Sequence, residues 1–224
     1  MCGRFDLHLP IEFLANYFGV PVLQDIHPHY NIAPTQKVLV LRTDQDGSRH
    51  FSFLRWGLIP SWAKDPSIGS RMINARSETV DVKPSFRSAL KHRRCVVPAN
   101  GFFEWEDVGG KKKPLYVKVK DNTPMIFAGL YDHWKSSDGN VIESCTILTT
   151  TSNELIKPLH DRMPVILDIR DVDLWLDPLV IDPEKLKHLF NPYSPEKMEM
   201  YPVSEIVNSP RNDIVECILP LIER

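Results

Sequence analysis

Paired runs of alternating apolar and polar residues, joined by short turns, constrain the fold of this chain most. The run 114–120 alternates in this way after the glycine turn 109–110, and a strand is expected over 95–106 before that turn. Further pairs of strand-like runs flank the polar turns 44–47 and 137–140. Because strands joined by hairpins pair antiparallel, the sequence predicts a mostly antiparallel sheet.

Helical spacing is limited to short segments. Residues 10–19 place apolar side chains on one helical face, and Thr151-x-x-Glu154 has the pattern of a capping box that begins another short helix leading towards His160. No repeat or change in composition marks a second domain. We therefore predict an α+β fold, a strongly curved, mostly antiparallel sheet or open barrel with short peripheral helices, in a single domain over residues 1–224.

Composition narrows the class of protein. The 224 residues contain no apolar run long enough to span a membrane, and the first twenty carry acids and lack the apolar core of a secretory signal. The four cysteines lie far apart and show no metal-ligand spacing with histidines. We expect a monomeric cytoplasmic protein with free thiols, no membrane association, no metal and no cofactor.

A nucleic-acid surface on this chain has to be local, because the formal net charge is -2. The most basic stretch is 83–94, which contains no acid within its cluster of Lys83, Arg87, Lys91, His92, Arg93 and Arg94. A solvated loop or helix face explains such a run equally well.

Cys2 follows the initiator Met1 and carries the clearest chemical signal in the sequence. A side chain this small permits removal of Met1, which leaves an α-amine and a thiol on adjacent carbons. These groups titrate at about 7.7–8.0 and about 8.5, so both are partly available as nucleophiles at neutral pH. The amine can form an imine with an aldehyde, and the sulfur can close it to a thiazolidine. The alternative is a frayed chain end with an unpaired thiol.

Polar residues also interrupt apolar strand context at three other places: 74–78, 99–105 and 158–164. Within the second, Glu104 alternates with Phe102, so the two can share one face of a strand. A carboxylate in such a position is either paired or functional, because burying an unpaired charge is costly.

Together these motifs resemble the SRAP family, the SOS response-associated peptidase-like proteins, also called abasic-site processing proteins. The matching motifs follow the family's order and cover nearly the whole chain: Met1-Cys2-Gly3-Arg4, Tyr30-Asn31-Ile32-Ala33-Pro34-Thr35, Trp56-Gly57-Leu58-Ile59-Pro60, Asn74-Ala75-Arg76-Ser77-Glu78, Gly101-Phe102-Phe103-Glu104-Trp105 and His160-Asp161-Arg162-Met163-Pro164.

The resemblance implies an activity that suits the aminothiol. Such proteins recognise abasic sites in single-stranded DNA, whose open sugar presents an aldehyde, and form a covalent protein–DNA crosslink. A thiazolidine removes the imine through which strand scission would occur, so it shields the lesion, and reopening of the ring gives a latent lyase activity. The implied partner is single-stranded DNA containing abasic sites, which would place the protein at the nucleoid when bound.

Chemical need and the resemblance assign roles to individual residues. Cys2 is the nucleophile, Glu104 and His160 are an acid–base pair, and Asn74 holds the sugar or the α-amine through its amide. Arginine suits phosphates and tryptophan or proline suits bases, so contacts with DNA are expected from Arg4, Pro34, Trp62, Arg76, Trp105, Thr149 and Arg162.

Two other functions use the same residues. In an N-terminal-nucleophile peptidase, Cys2 attacks an acyl carbon and removes Met1 itself, with His160 or Glu104 as the base. In a non-catalytic single-strand binding module, the basic and aromatic residues matter and Cys2 does not.

Overall fold

The structure is a computed structural model that describes residues 2–22, 26–44 and 46–221. The strands are β1 Phe5–Leu7, β2 His29–Ile32, β3 Lys37–Thr43, β4 Arg49–Trp56, β5 Asn74–Arg76, β6 Arg94–Ala99, β7 Gly101–Val108, β8 Lys111–Val119, β9 Met125–Lys135, β10 Val141–Thr151, β11 Arg162–Pro164, β12 Ile166–Leu167 and β13 Met198–Pro202. The helices are α1 Ile11–Phe18, α2 Arg87–His92 and α3 Val172–Leu176, with short 3₁₀ helices at Pro66–Arg71, Ile169–Asp171, Pro183–Phe190, Pro195–Lys197, Glu205–Asn208 and Val215–Cys217. Within the described ranges, no helix is long and apolar enough to cross a membrane.

Five strands close into a barrel in the order β10-β4-β3-β6-β9, because β10 pairs with both β4 and β9. The pairing of β4 with β10 is parallel, and the other four pairings of the ring are antiparallel. The predicted α+β fold with a curved, mostly antiparallel sheet is confirmed, and the ring of strands is closed.

A second sheet, in the order β13-β8-β7-β1-β2, covers part of the barrel. Successive side chains of β7 point to opposite faces, so Phe102 packs in the main core, 6.2 Å from Phe127 of β9 between ring centroids, whereas Phe103 faces away. Phe103 packs under the carboxyl-terminal segment 203–217. Phe5 of β1 joins the main core from the same side as Phe102.

The prediction of a single strand over 95–106 is wrong, because the chain is divided at Asn100 into β6 and β7. The Oδ1 of Asn100 accepts hydrogen bonds from the backbone N–H groups of His8 (2.8 Å) and Leu9 (3.2 Å), and its own N–H donates to the carbonyl of Asp6 (2.9 Å). These bonds attach Asn100 to the chain around β1, so the strand leaves the barrel there and enters the second sheet.

The prediction that a capping box at Thr151 begins a helix is also wrong. Thr151 is still part of β10, where it pairs with Arg162 of β11, so it cannot begin a helix. Residues 154–159 form turns instead, and Asn153 Oδ1 accepts the N–H of Ile156 at 3.1 Å. The helix predicted over 10–19 is confirmed as α1.

The basic stretch 83–94 is divided between surface and interior. Arg94 is buried and donates to the carbonyl oxygens of Trp175 (2.5 Å) and Leu90 (2.6 Å). Arg93 forms an ion pair with Asp132, Nε to Oδ1 at 3.2 Å. The last two cations of the stretch therefore stabilise the fold, and the exposed ones lie on α2 and the turn before it.

Gly101 begins β7 at a place where no side chain fits, which predicts a large effect of Gly101→Ala. A Cβ there would lie 2.5 Å from both Tyr116 Cζ and the carbonyl oxygen of Val117. Because Tyr116 is itself held by Asp6 (2.9 Å), we expect a loss of about 3 kcal/mol in the free energy of unfolding, measured by urea titration.

The control is Gly47→Asn. No atom of a described residue lies within 4 Å of the added Cβ at Gly47, and asparagine is among the side chains least disfavoured at its φ of 86°. Equal stability of the alanine variant and the native protein would show that β7 can shift to make room.

Candidate active site

Cys2 lies just before β1 and is fully buried. Its carbonyl oxygen accepts a hydrogen bond of 2.8 Å from the side-chain Nδ2 of Asn74. Burial raises the pKa of the Cys2 thiol well above its usual value, and the negative charge of Glu104 acts in the same direction. The thiol is therefore protonated at neutral pH and needs a proton acceptor when it reacts.

Asn74 is held rigidly at the start of β5, which pairs in parallel with β10 through Ile147. Its Oδ1 is buried and, within the described part of the chain, accepts no hydrogen bond. An orphaned acceptor of this kind is rare in a protein interior. It is suited to an N–H group that arrives with the reaction.

Glu104 is buried on the face of β7 that Phe102 also occupies, as the alternation of the strand predicts. Burial raises the pKa of its carboxyl above the usual range. A raised pKa makes the Glu104 carboxylate a stronger proton acceptor than a free one, and its charge is close enough to affect the Cys2 thiol.

His160 lies in the turn before β11 and is partly buried. Its Nδ1 accepts a hydrogen bond from the backbone N–H of Arg162 at 2.9 Å. The carboxylate of Asp161 lies 2.8 Å from the same nitrogen and would favour a proton there instead. Burial lowers the pKa of the imidazole, which favours the neutral ring. A neutral ring that accepts at Nδ1 carries its proton on Nε2, so it can donate from that atom.

Arg162 and Thr149 form a buried pair behind His160. The Nη1 of Arg162 pairs with Glu78 at 2.6 Å, and Nη2 donates to the Thr149 carbonyl oxygen at 2.5 Å and lies 3.2 Å from its hydroxyl. Both residues are buried, so the structure gives them a role in holding β11 against β10. Their contact with DNA stays a prediction.

Strand β10 brings the two polar motifs to one end of the barrel. At Thr149 it pairs with Arg76 of β5 on one edge and with Pro164 of β11 on the other. Residues 74–76 and 160–164 therefore flank the same short stretch of backbone.

Arg4 and Trp105 lie on the opposite face of the second sheet from Glu104. The guanidinium of Arg4 stands 5.8 Å from the Trp105 ring centroid, and its Nη1 donates to Asn31 Oδ1 at 2.7 Å and to the Val207 carbonyl oxygen at 2.8 Å. The Trp105 indole donates to Asn208 at 2.7 Å. The structure thus uses both side chains in internal contacts, and their contacts with DNA stay predictions.

Asn31 is the residue of this region to which sequence reasoning gave no role. It is buried, and its Nδ2 lies within hydrogen-bond distance of the carbonyl oxygens of Val207, Ser209 and Asn212. It thereby ties β2 and Arg4 to the carboxyl-terminal segment. The available signal was a polar side chain between apolar neighbours, which is buried only when its hydrogen bonds are satisfied.

Trp62 is the most exposed of the predicted aromatic contacts, with 58% of its surface accessible. The loop that carries it is fixed on both sides. The N–H of Ser61 donates to Asp132 Oδ2 at 3.0 Å, and the Trp134 indole donates to the Ala63 carbonyl at 2.7 Å. A rigid loop that holds an indole in solvent is suited to stacking.

Arg76 and Pro34 are also accessible. Arg76 is exposed at the end of β5 and has no ion-pair partner in the described ranges. Pro34 is half-buried in the turn after β2, whose last residue Ile32 pairs with Phe5. That turn therefore passes the end of β1 from which Cys2 emerges. Among the described residues, no cluster of His, Cys, Asp and Glu has the arrangement of a metal site.

The fold is a closed barrel with a covering sheet, and its buried Cys2 lies against the amide of Asn74 and within electrostatic reach of the buried Glu104 carboxyl. These features define the class of protein to which the chain is compared. The chain belongs to the SOS response associated peptidase (SRAP) family, whose profile matches residues 1–210. The resemblance found in the motifs is thereby confirmed.

Individual relatives match nearly the whole chain. The abasic site processing protein YoqW of Bacillus subtilis (strain 168) is 45% identical over 97% of this chain and 99% of that protein. The abasic site processing protein HMCES of Mus musculus is 33% identical over 98% of this chain and 76% of that protein. A crystal structure of a Bacteroides thetaiotaomicron protein superposes with a TM-score of 0.88 at 27% identity, covering 99% of this chain and 100% of the other.

The buried carboxyl of Glu104 predicts a pH-dependent cost of folding. The pKa of Glu104 is higher in the folded protein than the unfolded value of about 4.3. The native protein therefore loses stability as the pH rises from the unfolded pKa through the folded pKa. Glu104→Gln cannot ionise. Its free energy of unfolding, relative to the native protein, should therefore increase between about pH 4 and about pH 8 in urea titrations.

Glu106→Gln is the matched control, because Glu106 is exposed two residues further along β7. A difference between Glu104→Gln and the native protein that stays constant over this pH range would contradict the raised pKa.

Proposed function

We propose that this protein senses abasic sites in single-stranded DNA and joins them covalently through Cys2, which shields the lesion. The observation that carries the proposal is the environment of Cys2, with its carbonyl held by Asn74 and the proton-exchanging carboxyl of Glu104 nearby. The names of the relatives support the same substrate. We further propose that it acts in the cytoplasm as a monomer.

The proposed reaction consumes one aldehyde and releases one water. After Met1 is removed, the α-amine of Cys2 attacks the aldehyde carbon to give a carbinolamine. Loss of water forms the imine. The thiol then adds across the imine, so that a carbon–sulfur bond forms and the nitrogen gains a proton. Reversal of this last addition regenerates the imine, through which strand scission would give the latent lyase activity.

Three side chains divide the work around this reaction. Asn74 Oδ1 accepts a hydrogen bond from the α-amine and orients it. Glu104 takes protons from the amine and the thiol, because its raised pKa makes the carboxylate a stronger proton acceptor than a free one. His160 donates from Nε2 to the departing hydroxyl, because Nδ1 is engaged by the backbone of Arg162.

The DNA is held by residues that remain accessible and by residues that support them. Arg76 contacts a phosphate, Trp62 stacks on a base and Pro34 lies against the sugar beside the lesion. Arg4, Trp105, Thr149 and Arg162 contribute through the internal contacts described above, which fix the ends of β1 and β11.

The sharpest test is whether Cys2 forms a denaturation-resistant adduct with abasic single-stranded DNA. Native protein should lack Met1 by intact mass and give a shifted band on a denaturing gel. Cys2→Ala should abolish the band and retain single-strand binding. Cys2→Ser should give little stable adduct, because a hydroxyl closes the ring poorly.

Cys217→Ser controls for loss of a thiol, since Cys217 Sγ lies 3.3 Å from the Asn212 carbonyl on the other face of the second sheet, a contact that a hydroxyl can keep. A native protein that turns over peptides and forms no adduct would favour the peptidase. Retention of DNA with no adduct would favour the binding module.

Glu104→Gln and His160→Ala should slow adduct formation by about 10²–10⁴-fold without abolishing it, because an aminothiol reacts with aldehydes unaided. The pH profile of the single-turnover rate should lose either its acidic or its basic limb in one of the two variants, compared with the native protein. Glu106→Gln is again the control. If both variants react within about two-fold of native, the two residues have structural roles only.

A further inference from the structure

An open groove lies on the outer surface of β3 and β4, outside the active site. Four residues line it and are called the strip below: Thr35, Lys37, Phe53 and Arg55. The groove has a volume of about 400 Å³ and is completed by the first residues of β10. None of the four has a role in the reaction proposed above.

Phe53 is exposed, whereas Phe51 on the same strand is buried. Phe51, two residues earlier on the same face of β4, is buried beneath Phe18 of α1 at a centroid distance of 6.1 Å. Phe53 is not packed against α1 in this way and is 37% exposed. An aromatic ring at a groove edge is a stacking platform for a base.

Two cations face each other beside Phe53. Lys37 and Arg55 are direct partners in the antiparallel pairing of β3 with β4, an arrangement in which like charges repel. Neither forms an ion pair with a described residue, and the buried Nε of Arg55 makes no hydrogen bond. An anion between them would relieve the repulsion.

The acid in the groove does not neutralise this pair. Glu143 Oε1 is already bound by Arg42 Nη1 at 2.7 Å and lies 3.1 Å from His133 Nδ1. The strip therefore presents positive charge around an exposed ring, although the chain as a whole has a formal net charge of -2.

Thr35 connects the strip to the active site. Its φ of 75° is unfavourable for a β-branched residue, and the turn is fixed by bonds from Thr35 N–H to the Trp56 carbonyl (2.8 Å) and from Ala33 N–H to Gln36 Oε1 (2.8 Å). The preceding Pro34 passes the end of β1 near Cys2. The strip thus begins beside the lesion site and leads away from it.

We infer that this strip is a subsite for the single strand beyond the lesion, where Phe53 stacks on a base and Lys37 and Arg55 hold the adjoining phosphates. The inference rests on the proposed function for its substrate, and it extends the DNA path to residues that the active site does not use. Charge complementarity selects a polyanion over an apolar partner, because the ring lies beside two cations that form no ion pair with a described residue.

The test compares affinities for long single strands with those for an abasic oligonucleotide that carries one nucleotide on each side of the lesion. Phe53→Leu keeps the apolar bulk and loses the ring, so affinity for the long strand should fall about five-fold or more. Lys37→Gln and Arg55→Gln should each lower the slope of log affinity against log salt by about 0.7. Adduct formation with the short oligonucleotide should stay native in all three.

Matched controls are Phe13→Leu and Lys185→Gln, an exposed phenylalanine on α1 and an exposed lysine in the 3₁₀ helix Pro183–Phe190. The subsite is refuted if the strip variants bind the long strand like these controls, or if they lose affinity for short and long strands alike. It is also refuted if they bind DNA normally and change only self-association in sedimentation.

Failure of the proposed function gives a different result. The native protein would then form no adduct, yet its binding to undamaged single strands would still weaken in the strip variants. Thermal melting of every variant identifies any that fails to fold, and for such a residue a second exchange that also removes the ring or the charge, Phe53→Met, Lys37→Met or Arg55→Met, provides the comparison.

Discussion

Strand β10 pairs along both edges with two strands in succession, β4 then β5 on one side and β9 then β11 on the other. Its first half closes the barrel, and its second half holds two short strands that have few other contacts. β5 and β11 are three residues each, too short to be stable by themselves. Their order comes from β10, whose residues 147–151 pair with Asn74 and its neighbours on one edge and with Arg162 and its neighbours on the other. The site therefore depends on a strand that contributes none of its proposed catalytic groups.

Desolvation around Cys2 decides the order of events in the proposed reaction. The buried thiol resists ionisation, and the buried carboxyl of Glu104 resists it as well. Two such groups in one place would repel if both were charged, so the thiol stays protonated while Glu104 remains able to accept a proton. The α-amine is then the first nucleophile, and the thiol reacts after the imine has formed. Proton transfer through Glu104 links the two steps without placing a thiolate in the resting site.

Local patterns predicted much of this structure, because hairpins and amphipathic helices are fixed by neighbouring residues. Helix α1, the turn at 109–110 and the shared face of Glu104 and Phe102 follow from alternation and helical spacing. The break at Asn100 does not, since its bonds go to His8 and Leu9, more than ninety positions away. The parallel closure of β4 onto β10 is likewise set by three-dimensional packing. The candidate site was predicted by residue type, whereas its geometry depends on these distant pairings.

The fate of the cations shows why composition alone is a poor guide to a DNA surface. Arg94, Arg162 and Arg4 were chemically suitable for phosphates, yet each donates to backbone carbonyls inside the fold. An arginine whose Nη atoms already donate inside the fold would have to break those bonds to bind a phosphate through them, which costs roughly what the new contact gains. Arg76 and Lys37 are exposed and donate to no carbonyl oxygen of the residues that the structure describes. A DNA path is therefore better deduced from cations left without partners than from the density of positive charge along the chain.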